Sequence, residues 1–128
     1  MTQEETAQIL AVLKAAYPNS YKGMTKQEAF GTVTVWYTHF ADLPVDIVMM
    51  AVQKCIGSSV FPPSVFEVKD KVSTLHWEAY EAMRMHDNPS PEIRRVYDLT
   101  QAYRNTVPQA PSLQRMIDDR GMLLLENR

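Results

Sequence analysis

The side chains able to do chemistry are few and scattered. His39, Cys55, His76 and His86 are the residue types that bind metals or act as nucleophiles, yet no two stand at a paired metal-ligand spacing. Isolated histidines on helices are ordinarily solvated or hydrogen-bonded, so no metal site is expected. Cys55 falls on an apolar helical stripe with no histidine one turn away, which reads as a small buried hydrophobe. The adjacent acids Glu4-Glu5 and Asp118-Asp119 point in different directions on a helix and fit dipole compensation or solvated surface better than an acid/base pair. Gly23, Gly31, Gly57 and Gly121 are too far apart for a phosphate loop ending in Lys-Ser/Thr or for a dinucleotide fingerprint. Neither enzyme activity nor a cofactor is expected.

That leaves binding. Up to Leu75 every basic residue is lysine, and beyond it every one is arginine (Arg84, Arg94, Arg95, Arg104, Arg115, Arg120, Arg128). Arginine makes planar, bidentate contacts, so the two parts differ in side-chain chemistry and not in sign, by codon bias in a small sample or by a functional division. Thirteen basic against fifteen acidic residues leave a net charge of −2, which gives no general attraction to nucleic-acid phosphate. The lone Cys55 forms no internal disulfide, and the longest apolar run, 47–52, is too short to cross a bilayer. Glu4 and Glu5 stand where a signal peptide would carry basic residues. A cytoplasmic chain without membrane contact is expected.

The elements that must position these residues are helices. Thr2 with Glu5, Thr25 with Glu28 and Ser64 with Glu67 each have capping-box spacing, in which a hydroxyl and a carboxylate satisfy free N–H groups at a helix start. The first opens a helix over 3–17 that Pro18 ends. The second opens a helix with Phe30, Val33, Trp36, Tyr37 and Phe40 on a wide apolar stripe. A third helix, over 44–56, has Pro44 in its first turn and Gly57 as the residue past its end. The fourth starts after Ser64 and keeps helical spacing toward Met85. Ile9, Leu13, Tyr17, Phe30, Val33, Trp36, Tyr37, Phe40, Val48, Val52, Ile56, Val65, Val68 and Val72 are the expected core. The fold class is all-α, a compact bundle of four short helices followed by a proline-interrupted helical tail.

The tail begins at Asn88-Pro89-Ser90-Pro91, dividing the chain into an N-terminal helical domain, 1–86, and a flexible helical tail, 87–128, expected to order on binding a partner, the alternative being that it folds back over its own four-helix unit or drives self-association. Ser90 caps a fifth helix with Pro91 at its first position. Pro108 and Pro111 bracket a further short segment, and isolated helices of such lengths are marginal in water. Leu113, Met116, Ile117, Met122, Leu123, Leu124 and Leu125 are many apolar residues for a solvated end, while Arg94, Tyr97, Tyr103 and Arg104 are types that dominate interface energetics. Together they are the expected partner-binding residues. A helix-turn-helix DNA-binding regulator is the alternative, with Ser64, Lys69 and Lys71 of helix four on phosphates. Glu67 and Asp70 are interleaved with them, and no Arg, Asn or Gln near the helix start could read base edges. Direct nucleic-acid binding is therefore not expected.

Three stretches, TQEETAQILAVLKAAYPNSY, MTKQEAFGTVTVWYTHF and SSVFPPSVFEVKDKV, occur in an order and spacing that resemble the N-terminal helical domain of the phage replicative helicase loader and inhibitor family. The matched landmarks are Ala16-Tyr17-Pro18-Asn19, Trp36-Tyr37 and Phe61-Pro62-Pro63, and the resemblance covers about residues 2–75. It implies a small protein without catalytic activity that binds a hexameric DnaB-type replicative helicase, restrains it, and helps a phage origin-binding replisome organiser deliver it to DNA in the bacterial host cell. Under that resemblance the helicase contact is expected in the tail.

Overall fold

A computed structural model describes residues 1–104. They form α1 (Gln3–Ala16), α2 (Lys26–Phe40), α3 (Val45–Ser58), α4 (Val65–Met85) and α5 (Pro91–Thr100), and a 3-10 turn at Gln101–Tyr103 follows. The fold is all-α, with no strand among the described residues. The chain divides into two compact units, residues 1–71 and 72–128, and the division falls inside α4. The break expected at Asn88-Pro89 does separate two helices, α4 and α5. Both flanking segments nevertheless belong to the second unit, because α5 packs on the later turns of α4.

The helix starts form as the side chains dictate. Glu5 N–H donates to Thr2 Oγ1 at 3.1 Å and Thr2 N–H to Glu5 Oε1 at 2.8 Å, a complete capping box. Ser64 and Glu67 repeat both bonds at 3.2 Å. At α2 only half the box closes: Glu28 N–H donates to Thr25 Oγ1, but the Glu28 carboxylate accepts from the Thr25 hydroxyl instead of its backbone. Ser90 Oγ accepts from Ile93 N–H at 3.3 Å with Pro91 at the first helical turn. Two local expectations need correction. Pro44 is the cap of α3 and not part of its first turn. Gly57 lies inside α3, which runs on to Ser58, whose hydroxyl donates to the Lys54 carbonyl at 2.8 Å.

In the first unit, α1 contributes Ile9, Leu10 and Leu13 to the core, α2 contributes Trp36 and Phe40, and α3 contributes Ile47, Val48, Ala51, Val52 and Cys55. Leu43 fills the α2–α3 connection and Val68 enters from the first turns of α4. The Tyr17 hydroxyl donates to the Ser59 carbonyl at 2.8 Å, tying the end of α1 to the end of α3. Of the expected core, Val33, Tyr37, Ile56 and Val65 are half-buried, and Phe30 is not core at all, being 71% exposed. It lines an open groove together with Ala7 and Ala11 of α1, whose side chains are short. Trp36 is 9% exposed and tilts against Phe40 with ring centroids 5.7 Å apart. Trp36→Ala should therefore destabilise the protein by about 3–5 kcal/mol, as truncating a buried large aromatic does. Chemical denaturation followed by circular dichroism measures this, and an unchanged midpoint would refute a core role for Trp36.

Candidate partner-docking surface

Of the residues singled out for binding, Arg94, Tyr97, Tyr103 and Arg104 lie in the second unit, where the later turns of α4 meet α5 and the 3-10 turn. Tyr97 is half-buried. Its ring stacks on His76 at 4.8 Å with 20° between planes, and lies 6.2 Å from Tyr80. Trp77 sets its edge against both neighbours, at 5.2 Å from His76 and 5.4 Å from Tyr80. Trp77 Nε1–H and the Ser73 hydroxyl both donate to the Arg104 carbonyl, at 3.0 and 3.1 Å, which pins the 3-10 turn to α4. Tyr103 is buried within this turn.

Structure thus brings Tyr97, Tyr103 and Arg104 together, but it uses the two tyrosines for packing and the Arg104 backbone as an acceptor. What remains accessible is charged. The Arg104 side chain is exposed, and Arg94 and Arg95 stand with Asp98 and Leu99 on the outer face of α5. That face can make bidentate contacts to carboxylates. Leu113, Met116, Ile117, Met122, Leu123, Leu124 and Leu125 lie outside the described residues.

Sequence reasoning weighed His76 only as an isolated histidine, solvated or hydrogen-bonded, and did not place it at the centre of this cluster. It is 1% exposed, with Nδ1 3.2 Å from the Tyr97 carbonyl and 3.0 Å from Thr100 Oγ1. A carbonyl only accepts, so Nδ1 carries the proton, and in the neutral ring Nε2 is bare. The available signal was the spacing His76-Trp77-Tyr80, three aromatic rings with polar tips on one turn of helix. His39 and His86 are exposed.

The other candidates have quiet surroundings. Among the described residues no three His, Cys, Asp or Glu side chains gather as metal ligands, and no helix is long and apolar enough to cross a membrane. Burial pushes the Cys55 thiol up to about 11, the Lys71 charge opposing this and the Glu67 and Asp70 carboxylates adding to it, so at neutral pH it stays protonated and poorly nucleophilic. At the start of α4 the Ser64 hydroxyl is taken by the Glu67 N–H, and the Glu67 carboxylate occupies the position a phosphate would need.

Burial lowers the pKa of His76 from 6.5; the Tyr97 carbonyl opposes this and the Arg104 charge adds to it. The folded state favours the neutral ring, so the stabilisation is complete above about pH 6.5 and is lost as pH falls through the lower folded value. NMR titration should show the His76 ring protonating below pH 6.5. His76→Gln should flatten the loss of thermal stability that the native chain shows on acidification. A His76 titration above its ordinary value would contradict the buried neutral ring.

The comparisons with known proteins bear on the first unit. Residues 1–69 match the family model for the N-terminal domain of the phage helicase loader/inhibitor protein, whereas no curated protein and no solved structure matches the chain. The match spans more than half of the 128 residues and contains the landmarks described above. Tyr17 and Trp36 are buried inside it, and Pro63 is buried immediately before the capped start of α4. On this match the chain belongs to the phage helicase loader/inhibitor family.

Proposed function

We propose that the protein is a non-catalytic adaptor that binds a hexameric DnaB-type replicative helicase, restrains it, and helps a phage origin-binding organiser load it, acting in the cytoplasm of the bacterial host. The observation that carries this reading is the family match over residues 1–69. The sequence accords with it: there is no phosphate loop with which the chain could drive loading by its own ATP hydrolysis. Such an adaptor acts by binding one conformation of the helicase ring better than another, because a ligand shifts an equilibrium only by that difference. Release then comes from the partner.

We place the helicase contact in the segment 87–128. Its arginine-bearing α5 face, with Arg94 and the Arg104 side chain, supplies directional polar contacts. The apolar sequence Leu113, Met116, Ile117 and Met122 to Leu125 supplies area to remove from water. Tyr97 and Tyr103, also expected at this contact, pack within the second unit and would hold α5 and the 3-10 turn in place for it.

Co-purification of the full chain with the helicase, followed by sizing and an ATPase assay, tests partner and effect together. A stable complex with an altered ATPase rate is expected. Deleting the residues after Val107 should abolish binding while leaving the melting of the first unit nearly unchanged. Full-strength binding by the truncated chain would move the contact elsewhere, and absence of any complex with the intact chain would refute the helicase reading.

A further inference from the structure

A second surface lies in the first unit, on residues not used above for the helicase contact. Helices α1 and α2 border an open groove of about 410 Å³. Ala7 and Ala11 of α1 and Ala29 of α2 are among the residues that line it, and such short side chains leave room for an incoming side chain. Phe30 also lines it, with 71% of its surface in water, although it sits on the apolar stripe of α2. A large aromatic left uncovered in a groove lined by alanines is the arrangement of a helix-in-groove site, where an amphipathic helix inserts residues spaced three and four apart.

The charges select the helix. Lys14 in the last turn of α1 and Lys26 at the start of α2 both line the groove, and no carboxylate does among the described residues. Both positions adjoin the α1–α2 connection, so positive charge collects at that end. The end would suit a helix C-terminus, where the dipole is negative, and would repel a basic helix. We infer that the α1–α2 groove is a docking site for an amphipathic helix of a partner protein, one whose apolar edge ends in aspartate or glutamate. An adaptor holding one partner through residues 87–128 would in this way have a separate surface for another.

The full chain, labelled with nitrogen-15, is titrated with two synthetic helical peptides at low salt. One carries leucines at i, i+3, i+4 and i+7 with glutamates at its C-terminal end; the other carries lysines in place of the glutamates. The acidic peptide should shift the amides of Ala7, Ala11, Ala29 and Phe30, and the basic peptide should not. Phe30→Ala, a change at an exposed ring that should leave the melting temperature intact, should weaken the acidic peptide on the order of tenfold. The double reversal Lys14→Glu, Lys26→Glu should exchange the preference, so that the basic peptide binds. Equal binding of both peptides, shifts mapping outside the groove, no binding of the acidic peptide, or no effect of either variant would overturn the inference. A dimer of the native chain that Phe30→Ala dissociates would assign the groove to a second copy and overturn it equally.

Discussion

The first unit depends on Tyr17. Pro18 bars the preceding residue from helical geometry, and Tyr17 accordingly adopts φ −130° and ends α1. The same turn delivers its ring to the core and its hydroxyl to the Ser59 carbonyl at 2.8 Å. One residue therefore stops a helix, fills apolar space and fixes the chain at the exit of α3. The segment from Ser59 to Ser64 then starts from a held position, with Phe61 N–H bonded to Ser59 Oγ at 3.1 Å, and Ser64 arrives where its hydroxyl can cap α4. Removing the phenolic oxygen would leave a carbonyl at the α3 exit without that donor, a larger effect than losing one surface hydrogen bond.

The second unit is organised around polar groups instead. Where the first unit buries aliphatic side chains, the joint of α4 with α5 buries Ser73, His76 and Thr100. Each is satisfied: Ser73 by the Arg104 carbonyl, His76 by Tyr97 and Thr100, and Thr100 by donating to the Val96 carbonyl one turn back. Buried polar networks are directional, so they specify one register of α5 on α4 in a way that a purely apolar seam would not. They also make this joint responsive to protonation, because adding a charge to His76 breaks the balance that a leucine would never have had.

How much of this was legible in the sequence follows from which interactions are local. Thr2/Glu5, Ser64/Glu67 and Ser90-Pro91 act within one helical turn, and each starts a helix as their spacing foretells. Pro18 likewise acts on its neighbour alone. Phe30 shows the limit: periodicity puts it on the same stripe as Trp36 and Phe40, but whether a stripe residue is covered depends on the size of its neighbours on other helices, and α1 lines the same groove with Ala7 and Ala11. Tyr97 and Tyr103 have the composition of an interface, yet composition cannot distinguish a ring that meets a partner from one that meets its own chain. Cys55 was legible because burial of a cysteine on an apolar stripe needs no distant information.

The hydroxyls along α2 carry one more implication. Thr32, Thr34 and Thr38 each donate to the carbonyl four residues earlier, those of Glu28, Phe30 and Thr34. With Gly31, Val33, Val35, Trp36 and Tyr37 they make α2 a poor helix former, at up to about 0.7 kcal/mol per residue relative to alanine and about 1 for the glycine. Its helicity is imposed by the burial of Trp36 and Phe40 and not by its own backbone preference. Detached from the fold, this segment would be coil, whereas α1, with its complete cap and four alanines, starts from a better intrinsic balance. Local opening is thus graded within the first unit: α2, and with it one wall of the groove, separates from helical structure at a lower free energy than the wall formed by α1.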